Sequence, residues 1–329
     1  MTELTVDTTS FSAWNPGLEP EIPNDYLELE TIYNPENVRS RLADIIELAK
    51  QTGLSREELV SFKPQRLAIH ELIVRVTADI IILEGEMEEA LGQNFREIAG
   101  NILNNHIAPH FDAIEQAYEA LYQQVHRQVD QELSNSLFAT TQATAVKTRP
   151  FPFNLFGKGQ TAKPAAALET TQEREYRLIA AFKEKGLAAK SPLEIAIYKS
   201  LYRVLGTTAS TRGYVGTDQR LLTELISRHV CNRYGSRMIG KMVSGFIDTA
   251  MSQEGYAPIP YTKTPVLISL KGASAAGKSS LRPMLKQMMA EQGIEPDSYG
   301  TISPDIWRRF LLDYDSLGEG YKYAGRLTS

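Results

Sequence analysis

The residues best placed to do chemistry run Lys271-Gly272-Ala273-Ser274-Ala275-Ala276-Gly277-Lys278-Ser279-Ser280, and from Gly272 they read G-x-x-x-x-G-K-S. That is the phosphate-binding P-loop pattern. Gly272 and Gly277 permit a tight turn that brings backbone N–H groups onto phosphate oxygens, with Ala273, Ser274, Ala275 and Ala276 supplying N–H groups between them. Lys278 would reach the β- and γ-phosphates. Ser279 would place its hydroxyl on Mg²⁺, and Ser280 continues the same turn. The helix that follows would turn its positive end towards the same phosphates. The chemistry implied is binding of a nucleoside triphosphate, with ATP and Mg²⁺ as the expected cofactors.

The pattern alone gives false positives, so its flanks decide. Upstream, Thr264-Pro265-Val266-Leu267-Ile268-Ser269-Leu270 is a short apolar run that reads as a buried parallel strand. Downstream, Leu281, Met284, Leu285, Met288 and Met289 recur at helical spacing and Gly293 stops them. Strand, glycine loop and helix is the order a P-loop requires. Further on, Tyr299-Gly300-Thr301-Ile302 is a short candidate strand. Ser303-Pro304-Asp305 then opens a helix, with Ser303 as cap and Pro304 in the first turn. Two weaker features were weighed. Asp313 ends a short apolar run in the manner of a Walker B aspartate, but inside a helical pattern. His106 and His110 stand four apart, yet Pro109 intervenes and no third ligand is evident.

The elements before this stretch are helical. The 329 residues allow two or three domains. Residues 1–30 are polar and Pro-rich and read as a disordered N-terminus, whose Thr and Ser content fits fraying better than an export signal. Residues 31–140 read as a helical domain. Its apolar faces include Val38, Leu42, Ile45 and Ile46, a long helix from Pro64 through Ile81, and a further helix from about Phe111 to Leu137. Ser55 and Glu58 form a capping box. Residues 141–170 read as a linker or mobile loop, 171–256 as a second helical segment, and 257–329 as the N-terminal part of a P-loop domain. In the second segment, Ser191-Pro192-Leu193-Glu194 is a clean helix start.

Composition narrows the function. The net charge is −5, with no long basic run, which disfavours a general nucleic-acid-binding surface. No apolar run approaches membrane-span length, so no membrane partner is expected. The lone Cys231 cannot form an intramolecular disulfide, fits a reducing, cytoplasmic compartment, and reads as a small buried residue.

The run Gly272–Ser280, followed by Ser303-Pro304-Asp305-Ile306-Trp307-Arg308-Arg309, resembles the zeta-toxin-like P-loop kinases, and is most similar to a branch in plant-pathogen type III effectors. The resemblance covers about residues 264–329, and only the Asp305 segment narrows it beyond P-loop proteins in general. It implies an ATP-dependent phosphotransferase acting on a hydroxyl of a small nucleotide-containing metabolite, such as NAD or a UDP-amino sugar. Asp305 would be the catalytic base, Lys278 would act on the transferring phosphoryl group, and delivery into a host cell becomes conceivable. Arg308 or Arg309 could face acceptor phosphates.

The fold class expected is a mainly α N-terminal region followed by the start of an α/β P-loop NTPase domain with a parallel sheet. The 66 residues from Thr264 to Ser329 are fewer than such a domain needs, so a domain truncated at its C-terminus is expected. Two alternatives stay open. One is a P-loop ATPase switch coupled to the helices. The other is a non-enzymatic interaction protein whose helical region binds a protein partner.

Overall fold

Proline and glycine punctuation sets most of the helix boundaries. In a computed structural model, residues 22–85, 88–139, 169–271, 277–296 and 298–328 are described. The helices are α1 Leu42–Thr52, α2 Arg56–Leu59, α3 Pro64–Asp79, α4 Glu88–Ile102, α5 Phe111–Asn135, α6 Thr171–Ala188, α7 Pro192–Arg212, α8 Gln219–Val230, α9 Ser236–Glu254, α10 Lys278–Glu291, α11 Pro304–Leu311 and α12 Ala324–Leu327. Pro64, Pro192 and Pro304 each open a helix, where the missing N–H costs nothing. Gly213 closes α7 at φ 81°, a left-handed value that glycine adopts without strain. No helix among the described residues is long and apolar enough to cross a membrane.

The chain forms two compact units. The first comprises the described residues of Met1–Leu42, Val60–Tyr118 and Ser236–Ser329. Its centre is α3 against α9. Leu67, Leu72, Ile73 and Val76 on α3, and Ile239, Val243 and Ile247 on α9, are buried at helical spacing. Each such side chain removed from water contributes about 1.5–3 kcal/mol. Gly240 allows a close approach, since a Cβ there would lie 2.8 Å from Glu71 Oε2. Arg75 ties the pair polarly, donating to Asp248 Oδ1 at 2.8 Å. α4 packs on α3, and α11 packs on α4. Phe95 of α4 meets Phe310 of α11 edge-to-face, with ring centroids 6.0 Å apart.

The second unit comprises Ala43–Leu59 and the described residues of Glu119–Gly235. α6 and α7 form its main pair, and α8 packs on α7. Ile179 and Phe182, Leu201, Val204 and Leu205, and Leu222, Leu225 and Ile226 fill the space between them. α6 starts with a complete capping box, Thr170 with Glu173. Glu58 holds this unit's polar centre. Arg203 Nε and Nη2 donate to its two oxygens at 2.9 and 3.1 Å, and the Ser55 N–H donates at 3.1 Å. These bonds hold its carboxyl down to about 2 from an ordinary 4.5.

The folded affinity of Glu58 for protons is therefore below the unfolded one. The stabilisation is complete above about pH 4.5 and is lost as pH falls towards 2. At about 1.4 kcal/mol per tenfold change in proton affinity the full shift would be roughly 3 kcal/mol, and solvent screening of the pair with the half-exposed Arg203 reduces it to about 1–2 kcal/mol. Glu58→Gln is expected to unfold in urea with about 1–2 kcal/mol less free energy than the parent at pH 7. The two curves should converge only as pH falls towards 2. Parallel curves across that range would contradict the assignment.

The parallel sheet expected for residues 257–329 is absent. Among the described residues there is no β-strand, only the isolated antiparallel bridges Val38↔Phe62 and Ile80↔Pro258. The P-loop α/β fold class is thereby overturned. Residues 264–271, read as a buried strand, are irregular, and Val266 is 87% and Leu267 83% exposed. An apolar run specifies burial only where a neighbouring strand takes its N–H and C=O groups, and the run does not carry that neighbour with it. The second candidate strand, residues 299–302, is likewise irregular. Gly300 of that stretch sits close against Ile259, where a Cβ would lie 2.4 Å from Ile259 Cδ1. The long helix read through Ile81 ends at Asp79. Beyond it, the Ile81 N–H donates to Ala257 O, and the Ile259 N–H donates to Asp79 O, both at 2.9 Å.

Candidate nucleotide-phosphate site

Gly277 is the N-cap of α10 at φ 78°, a left-handed backbone that only glycine takes cheaply. Lys278 is the first residue of this 14-residue helix. The start of α10 is the positive end of its dipole, and there the Ser280 and Leu281 N–H groups turn back to donate to Gly277 O at 3.1 and 3.3 Å. Ser280 is exposed in the same turn. Gly272, Ala273, Ser274, Ala275 and Ala276 lie outside the described residues, as does the Ser279 side chain. The Mg²⁺ contact expected of Ser279 therefore falls outside them too. Among the described residues no cluster of three or more His, Cys, Asp or Glu could hold a metal ion.

Asp305 stands in the first turn of α11, its side chain 84% exposed, and accepts a bond from Arg308 Nη1 at 2.8 Å. Asp305 and Lys278 thus open two separate helices of the first unit. Arg309 stacks its guanidinium 5.5 Å from the Tyr314 ring centroid. Asp313 lies in the turn after α11, where its carboxylate accepts from the Asp315 N–H at 3.0 Å. His106 Nε2 is 3.2 Å from Glu254 Oε1, and His110 stacks on Phe246 at 4.2 Å. These two histidines are engaged by different partners.

Two arrangements were not legible beforehand. Glu84, in the extended stretch after α3, meets Lys286 of α10, the Thr301 hydroxyl, and Arg282 of α10 at 3.8 Å. Burial works to raise its carboxyl, but the Lys286 ammonium and Thr301 hydroxyl outweigh burial and hold it below its ordinary value. Glu84 therefore links α10, one turn beyond Lys278, to the segment leading into α11. No local signal marks it, because its partners are 198 to 217 positions away.

The second arrangement is a row of Ser200, His229 and Glu58 in the other unit. The Ser200 hydroxyl is 2.9 Å from His229 Nδ1, and His229 Nε2 is 3.5 Å from Glu58 Oε1. The order suggests a nucleophile and base. Ser200, however, is 2% exposed within α7, so no substrate reaches it. Burial also pushes the His229 imidazole below its ordinary value, with Arg233 adding to the effect. The row is structural. Cys231 is fully buried beside it in sequence, its thiol pushed up to about 12 by burial, which makes it inert as a nucleophile or ligand.

Between α4 and α11 lies a cavity of about 240 Å³. Among the described residues, Glu89, Gly92 and Arg96 line it from α4, and Ser303, Asp305, Ile306 and Arg309 from the start of α11. Asp305 therefore faces a space with two guanidinium groups and a second carboxylate.

No protein-family model matches the chain, and neither a curated protein nor a solved structure matches it.

Proposed function

We propose that this chain binds MgATP at the loop preceding α10 and transfers the γ-phosphoryl group to a hydroxyl of a small metabolite. The observation that carries the reading is the junction itself. The sequence G-x-x-x-x-G-K-S runs into α10 with Gly277 left-handed at the cap and Lys278 at the first helical position. Glycine permissiveness, the positive end of a helix dipole and a lysine at that step together suit a phosphate. The reading does not require a parallel sheet.

Asp305 supports transfer rather than binding alone. It is exposed, opens its own helix and lines a cavity. In the proposed step Asp305 takes the proton of the acceptor hydroxyl as that oxygen bonds to the γ-phosphorus. The bond from phosphorus to the bridging oxygen breaks, and ADP leaves with its electron pair.

The test is incubation with γ-labelled ATP and Mg²⁺ against a panel of nucleotide-containing metabolites. Label moving onto one acceptor supports the reading. Release of free phosphate alone, undiminished by Asp305→Asn, would instead favour an ATPase switch.

A further inference from the structure

We infer that α4 supplies the acceptor-recognition surface of this site, and that the cavity between α4 and α11 binds a small polyol bearing a phosphate or similar anion. The inference rests on the phosphotransferase reading for the identity of the ligand as acceptor. The cavity itself is independent of that reading.

Charge placement makes the case. Arg96 and Arg309 line the cavity from opposite helices; the Arg309 guanidinium also lies 5.5 Å from the Tyr314 ring centroid, and the carboxylate of Asp305 in the same lining holds Arg308. A guanidinium presents a planar fork that matches phosphate or carboxylate oxygens. Asp305 and Glu89 face the same space. Carboxylates accept from hydroxyls and repel anions, so a ligand that satisfies all four groups carries both an anion and hydroxyls. A purely anionic ligand would leave the carboxylates opposed, and a neutral sugar would leave the Arg96 charge without a counter-ion and Arg309 with only its aromatic contact.

Size sets a second limit. About 240 Å³ falls below the roughly 300–1,000 Å³ of sites that enclose drug-sized ligands. The cavity holds the reacting end of the acceptor, on the scale of a sugar phosphate. Gly92 keeps this space open, because a Cβ there would lie 3.2 Å from Arg96 Nη1. The other comparable cavity, bounded by Gln128, Gln131, Glu132, Asn135, Glu194 and Tyr198, has no cation in its described lining and offers an anion nothing.

The test uses glycerol 3-phosphate as probe, titrated into the full chain carrying Lys278→Ala so that the P-loop no longer takes phosphate. Saturable binding is expected, with none for glycerol. Adding Arg96→Gln should weaken it about 10- to 100-fold, as loss of a bond to a charged group does. Arg309→Gln, on the exposed wall, should do the same and serves if Arg96→Gln fails to fold. Binding unchanged by both substitutions, or no binding at all, would overturn the inference. In the transfer assay, Arg96→Gln should raise the acceptor KM with kcat and the ATP KM held. Arginine-dependent probe binding without any label transfer would leave this inference standing and remove the kinase reading. Transfer with an acceptor KM indifferent to Arg96 would do the reverse.

Discussion

Lys278→Ala is expected to weaken MgATP binding by about a hundredfold and to abolish detectable phosphoryl transfer. The ammonium would meet the β- and γ-phosphates at the first step of α10, where it adds a full charge to the partial charge of the helix end. Truncating one partner of a desolvated charge pair costs about 2–5 kcal/mol. Each 1.4 kcal/mol is a factor of ten, so about 2.8 kcal/mol, in the lower half of that range, gives the hundredfold figure. Loss of fold is not a competing explanation. Lys278 is an early helical residue, and alanine is the better helix former there. Equilibrium titration of the variant with a fluorescent ATP analogue checks the prediction. Affinity equal to the parent's would place the nucleotide elsewhere.

Asp305→Asn is expected to lower the transfer rate by about 10²- to 10⁴-fold while MgATP affinity stays unchanged. General-base contributions fall in that range. The amide keeps the shape of the carboxyl but cannot take the acceptor proton. The substitution also removes an acidic group from the first turn of α11 and weakens the contact with Arg308. On a largely exposed side chain that costs a few tenths to about 1 kcal/mol. The unit therefore stays folded and the rate reports chemistry. Single-turnover transfer, measured beside nucleotide affinity, separates the two effects. A variant that transfers at the parent rate would reduce Asp305 to a helix-start residue.

The helical half of this architecture was legible because its signals are local. Pro192 and Pro304 set helix starts that their neighbours confirm, and the apolar spacing of Leu67 to Val76 needs only one chain segment to be read, whereas Val38, read into the first helix, lies before it in a bridge to Phe62. The start of α10 at Lys278 was legible for the same reason. The sheet was misread because Val266-Leu267-Ile268-Ser269-Leu270 satisfies the composition of a buried strand while saying nothing of a partner. α3 was read two residues too long because Ile80 and Ile81 continue its apolar pattern, although their backbone turns to meet residues 257–259.

The site divides along the same line. Gly277, Lys278 and Asp305 announce themselves by spacing, whereas Arg96 and Glu84 acquire meaning only from residues some two hundred positions away. Glu58 illustrates the limit well. Its capping role with Ser55 was readable from three residues, but its bidentate hold on Arg203 was not.

The most direct test is calorimetric titration of the intact chain with ATP in the presence and absence of Mg²⁺. The account predicts one saturable site per chain, weakened when Mg²⁺ is withheld and weakened about a hundredfold in Lys278→Ala. No saturable uptake at millimolar MgATP, or uptake indifferent to Lys278, would contradict a phosphate site at the start of α10.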